Sequence, residues 1–179
     1  MKYRALILPL VLFMAIAGRA QTANELLDGI RKKLGQVNDY EARGTMKTNV
    51  TFVKAPVASV VIYFKKPDKL KIRNESGISL VPKGSVNISF NKIVANSENC
   101  DIIDVGKEEK TGLRIIKLLP KEENADIVLS TLYIDEKNLL VKRSTTTTRE
   151  TGTYELEMTY GKHAAYGLAD KVVFTFNTR

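Results

Sequence analysis

The chain has little of what chemistry at a protein site requires. It holds one cysteine, Cys100, and one histidine, His163, in 179 residues. A single cysteine forbids an internal disulfide, so stability must come from a packed core. One His and one Cys far apart make no metal set, and no glycine-rich phosphate loop is present. His163 lies in Gly161-Lys162-His163-Ala164-Ala165 with no acid beside it to orient an imidazole base, and reads as a surface histidine. Cys100 sits beside Asp101, whose charge raises a thiol pKa, and reads as a structural cysteine. The densest acidic stretch, Asp101, Asp104, Glu108 and Glu109, lacks the Asp-x-Asp-x-Asp-Gly pattern of a calcium loop and reads as a solvated loop. No catalytic residue, metal or cofactor is therefore expected, and the chain is not read as an enzyme.

Long apolar runs are scarce too. The clearest one, Ala5 to Ala17, follows Lys2 and Arg4 and ends at the small-x-small triplet Gly18-Arg19-Ala20, the pattern of a secretory signal peptide. Spanning a bilayer takes roughly 20 apolar residues, and this run is shorter and interrupted by Pro9. Residues 1–20 are thus expected to be removed near Ala20. Residues 21–179 form a single domain with no transmembrane span and, being exported, no nucleic-acid partner. No cysteine stands at the new N-terminus to carry a lipid. Residues 1–20 contain Lys2, Arg4 and Arg19 and no acid, so the net charge of +8 falls to +5 for the remainder. An excess of this size first of all keeps a surface solvated, and can also steer a protein toward anionic headgroups.

What the chain does have is periodicity. Thr22, with Glu25 three residues on, is a capping-box signature ahead of Leu26, Leu27, Ile30, Leu34 and Val37, which share one helical face. From Tyr40 the period becomes two: Tyr40, Ala42, Gly44 and Met46 alternate with polar residues. Ala58, Val60, Ile62 and Phe64 follow, then a Lys66-Pro67-Asp68 turn, then Leu70 and Ile72. Further strands are expected at Ile78 to Val81, Val86 to Phe90, Leu113 to Leu119, Ile127 to Ile134, Leu139 to Thr147, Thr153 to Tyr160 and Lys171 to Asn177. Turns fall at Pro82-Lys83-Gly84, Asp135 to Asn138 and Glu150-Thr151-Gly152.

About nine strands against one confident helix leave more apolar sheet face than a helix of some four turns covers. The sheet must curl, into a barrel filled by its own side chains or a wider, unclosed one that keeps a cavity. Pattern alone allows both. The inward set, dominated by Val, Ile, Leu, Phe and Met with no regular polar member, would make any cavity greasy. Thr145 to Thr148 reads as an exposed strand segment.

The order helix, long strand and hairpin with YFKKPDKLKI (Tyr63 to Ile72) resembles the LolA family of periplasmic lipoprotein carriers. So do IIKLLPK (Ile115 to Lys121), LYIDEKNLLVKR (Leu132 to Arg143) and the closing TYELEMTYG and VVFTF segments. The resemblance covers most of residues 24–177. It implies a mainly β, α+β fold, a curved antiparallel half-barrel with an N-terminal helix as lid. It also implies a periplasmic carrier or sensor that binds acyl chains of lipoproteins or lipids without catalysis, with envelope membrane proteins as further partners.

The basic residue before proline, which in that family helps hold the lid helix, matches Lys66, where lysine lacks the fork of the more familiar arginine. Between Asn74 and Gly112 the family's aromatic strand and lid helices have no counterpart in the pattern. The expected lipid-binding cavity is lined by Leu26, Leu27, Ile30, Tyr40, Ala42, Met46, Val60, Ile62, Phe64, Tyr154, Leu156, Met158, Phe174 and Phe176. The same residues would be ordinary core in the alternative, a filled β domain serving as a protein-interaction or envelope scaffold.

Overall fold

The computed structural model describes residues 21–47, 57–67, 69–77, 90–150 and 152–177, with the side chains of 90–92 and 176–177 outside that description. The chain enters helix α1 (Ala23–Gly35) through the capping box read from the sequence. The Thr22 hydroxyl accepts from the Glu25 N–H at 3.2 Å and the Glu25 carboxylate accepts from the Thr22 N–H at 2.9 Å. Thirteen residues make a marginal helix on their own. What holds α1 is its buried stripe of Leu26, Leu27 and Ile30, at 0, 1 and 2% exposure, each contributing about 1.5–3 kcal/mol as an upper bound.

Strands β1 (Asp39–Met46), β2 (Ala58–Lys65) and β3 (Lys69–Ser76) form one antiparallel sheet in that order. A short helix α2 (Phe90–Ala95) and a 3-10 turn at Asn96–Asn99 lead into β4 (Cys100–Lys107). β5 (Arg114–Pro120), β6 (Ile127–Asp135), β7 (Leu140–Thr148), β8 (Thr153–Thr159) and β9 (Lys171–Asn177) continue a six-stranded antiparallel meander. Among the described strands β4 and β9 are both edges, so the sheet does not close. This is the open α+β half-barrel architecture that the resemblance implies, one of the two outcomes the alternating pattern allows.

Strand register aligns the inner face in rows. Ile102, Leu118, Ser130, Thr146, Tyr154 and Phe176 form one, and Asp104, Ile116, Leu132, Ser144, Leu156 and Phe174 the next. Against these rows pack α1 and α2, through Leu26, Leu27, Ile30, Ile93 and Val94.

Four sequence expectations change here. The strand expected at Val86 to Phe90 ends wrongly, because Phe90 opens α2; the rest of it, the strand at Ile78 to Val81 and the turn at Pro82 to Gly84 lie outside the described residues. The segment taken to lack a helix supplies α2, whose Ile93 and Val94 are 5 and 0% exposed. Asp101 and Asp104 lie on strand β4 rather than in a loop; two Asp residues disfavour a strand, and Ile103 and Val105 interrupt polar alternation by facing outward at 47 and 51% exposure.

The fourth concerns polarity. The inner face carries hydroxyls: Ser130, Ser144, Thr146 and Thr148 are all buried, and Ser130 and Thr146 share a hydrogen bond at 3.1 Å. The Ser144 hydroxyl is buried with no hydrogen-bond partner among the described residues. A lone buried hydroxyl costs about 1–3 kcal/mol of desolvation, so Ser144→Ala is expected to raise stability by about 1 kcal/mol, read as a higher urea midpoint at unchanged slope. A lower midpoint would mean that the hydroxyl is satisfied in solution.

Candidate functional site

Twelve of the fourteen expected cavity residues fall into two groups. Leu26, Leu27, Ile30, Tyr154, Leu156 and Met158 belong to one packed cluster between α1, α2 and the six-stranded sheet. Tyr40, Ala42, Met46, Val60, Ile62 and Phe64 share one face of the β1–β2 pair, outside that cluster. There Val60 and Phe64 are buried, Tyr40, Met46 and Ile62 half-buried, and Ala42 exposed. The Tyr40 and Phe64 rings stack at 5.3 Å. Burial raises the pKa of the Tyr40 phenol and pushes that of Tyr154 up to about 12.

On the inner face the cover stops before the β9 edge. Phe174 stacks on the buried Tyr154 at 5.5 Å yet stays 38% exposed, and Val172 beside it is 54% exposed. Phe176 stands opposite Tyr154 in the register; its side chain lies outside the described set.

α1 is pinned along its length. Arg31 reaches Asp28 on its own helix and Glu98 beyond α2. Gly29 admits Leu139 of the β6–β7 turn, whose methyl lies 3.1 Å from where a Cβ would stand. Lys33 donates to the Asn138 carbonyl of the same turn, and Leu34 packs on Gly167, a left-handed residue at φ 70°. At the C-terminus the Lys66 ammonium donates to the Gly35 carbonyl and, at 3.2 Å, to the Asn38 side chain. A cation at the negative end of the helix dipole is favourable there.

A depression of about 340 Å³ lies between α1, the 3-10 turn and β4, lined by Asn24, Leu27, Arg31, Ser97, Glu98, Cys100, Asp101, Ile102 and Lys121. It is polar and shares only Leu27 with the expected cavity. The half-buried Cys100 thiol there is pushed up by burial first and by Asp101 second, which makes it a weak nucleophile. His163 is exposed at the start of the Ala164–Tyr166 turn. Among the described residues no helix is long and apolar enough to cross a membrane.

At one end of the sheet a charge network joins the β4–β5 and β6–β7 hairpins. Arg114 donates from Nε to Asp104 at 2.8 Å and from Nη1 to Glu136 at 3.0 Å, and Lys107 approaches Glu136 at 2.6 Å. Arg143 lies 3.7 Å over the Tyr133 ring and bonds Glu108 at 2.7 Å. The hydrogen bond from Arg114 holds the Asp104 carboxyl below its ordinary range. A carboxylate with a depressed folded pKa stabilises above its unfolded value and loses that contribution as pH falls through the folded one. Arg114→Met is therefore expected to cost about 1 kcal/mol at about pH 7, with the gap from the parent narrowing at about pH 3, as urea midpoints at the two pH values will read. A gap independent of pH would assign the loss to packing alone.

No protein-family model matches the chain, and no curated protein matches it in sequence. Solved structures of similar fold include a DUF1329 family protein from Desulfovibrio piger, with a TM-score of 0.50, 14% identity, and coverage of 77% of this chain and 79% of that one. They also include a domain described as an outer membrane lipoprotein-sorting protein from Vibrio parahaemolyticus, with a TM-score of 0.41, 9% identity, and coverage of 74% and 75%. The first likeness is one of fold.

Proposed function

We propose that the processed chain, residues 21–179, is a non-catalytic carrier or sensor in the bacterial periplasm that captures acyl chains of lipoproteins or lipids on its inner sheet face. The observation that carries this reading is the apolar inner surface left uncovered at the β8–β9 edge, where Phe174 and Val172 stand exposed beside the buried Tyr154. An acyl chain laid there continues the apolar layer that α1 begins, at about 0.8 kcal/mol per buried CH₂. No reactive group is needed for capture. The sequence resemblance to the LolA carriers supports the same reading.

The test is a titration of the processed chain with a fluorescent fatty acid, followed by displacement with unlabelled lipid. Saturable binding that unlabelled lipid reverses is expected; a linear, non-saturating response would oppose the proposal. A second reading, a filled β domain acting as a protein-interaction scaffold, is favoured by the tight packing beneath α1, where Ile116, Leu132 and Ile134 are all 0% exposed. It predicts no lipid response at any concentration.

A further inference from the structure

Charge is divided unevenly along the chain. Residues 39–76 carry eight Lys and Arg against four Asp and Glu, whereas residues 77–179 carry fourteen of each. The excess outside the N-terminal segment therefore falls within the stretch of sequence that contains the three strands β1, β2 and β3. Register gathers it further. Lys65 and Lys69 are direct cross-strand partners, and Lys71 follows two residues along on the same face, opposite Tyr63. All three are exposed, and none makes an ion pair among the described residues. The neighbouring Arg43 and Arg73 are engaged with Glu41 and Glu75. Like charges set directly opposite each other in a sheet are destabilising, and Asp39, the other cross-strand neighbour of Lys65 on β1, is not within ion-pair distance of it to offset the Lys65–Lys69 repulsion.

We propose that the Lys65, Lys69 and Lys71 face of the β2–β3 hairpin docks the protein on an anionic phospholipid bilayer. Charge complementarity selects the partner. The cations are lysines, hydrated point charges on flexible stems rather than planar forks shaped for one carboxylate or phosphate. They lie spread along two strands of a sheet, which suits a laterally continuous anionic surface better than a single shaped partner. Basic side chains at such a surface each contribute about fivefold in binding, so the three together give roughly a hundredfold, screened by salt. The proposal does not depend on acyl capture, which is indifferent to headgroup charge and only weakly affected by moderate salt.

The experiment is co-sedimentation of the processed chain, its N-terminus checked by intact mass, with vesicles of phosphatidylcholine alone or mixed with phosphatidylglycerol. Binding to the mixed vesicles only, lost at high salt, is expected. The triple variant Lys65→Gln, Lys69→Gln, Lys71→Gln should bind about a hundredfold more weakly while keeping its circular dichroism and its fatty-acid titration. The control Lys110→Gln, Lys137→Gln, Lys162→Gln removes the same charge from exposed positions elsewhere and should lose far less. Equal losses in the two variants would reduce the effect to net charge and overturn the proposal. So would equal binding to both vesicle types, or no vesicle binding together with retention on polyglutamate, which would assign the face to an acidic protein.

Discussion

Leu27→Ala combined with Ile30→Ala is expected to remove most of the stability of the domain. Both side chains are all but fully buried, and both lie in the cluster that joins α1 to the six-stranded sheet. Truncations of this kind cost about 2–5 kcal/mol each, against about 5–15 kcal/mol for a whole domain. The two sites are one helical turn apart, so the sum holds only approximately. Urea unfolding followed by circular dichroism and by tyrosine fluorescence should show one early, coincident transition. An unchanged midpoint would mean that α1 merely rests on a sheet that is stable without it, against the packing described above.

Phe174→Asp separates site from core. The ring is more than a third exposed on an edge strand, so the fold should survive, with about 0.5–1.5 kcal/mol lost from the Tyr154 stack. If acyl chains lie across this edge, a carboxylate there removes about 1.5–3 kcal/mol of apolar contact and adds a desolvation cost, a loss of more than tenfold in fatty-acid affinity. The fluorescent titration reads it directly. A folded Phe174→Asp variant with parent affinity would move the site away from β9. Met158→Asp is a poorer probe, because Met158 is 7% exposed and its substitution would unfold the chain.

Where the sequence follows the strict two-residue alternation of a one-sided sheet, strand boundaries came out within a residue or two, as at Ala58 to Phe64 and Thr153 to Tyr160. The capping box at Thr22 and Glu25 placed the helix start equally well, because its signal is local. β4 was illegible for a physical reason: Ile103 and Val105 face outward, and Asp101 and Asp104 spend their charge on tertiary partners, Lys121 and Arg114. α2 is too short to show a period. The buried hydroxyls of Ser130, Ser144 and Thr146 could not be read as inward either, since threonine and serine suit both faces of a strand. The contacts that pin α1, such as Gly29 against Leu139 and Lys33 with the Asn138 carbonyl, join residues about a hundred apart and leave no local trace.

The Lys66 contact with the Gly35 carbonyl ties the two sheets' roles together. It fixes the end of α1 to the hairpin whose outer lysines face solvent. The helix that covers the inner face is thus mechanically continuous with the surface proposed to meet the bilayer.

Native mass spectrometry of the processed chain, purified from the cell envelope and measured again after delipidation, tests acyl capture most directly. A lipid-sized mass increment that disappears on delipidation and returns with added lipid is the predicted result. A bare protein before and after, which also takes up no added lipid, would contradict it and leave a filled β domain whose partners are proteins.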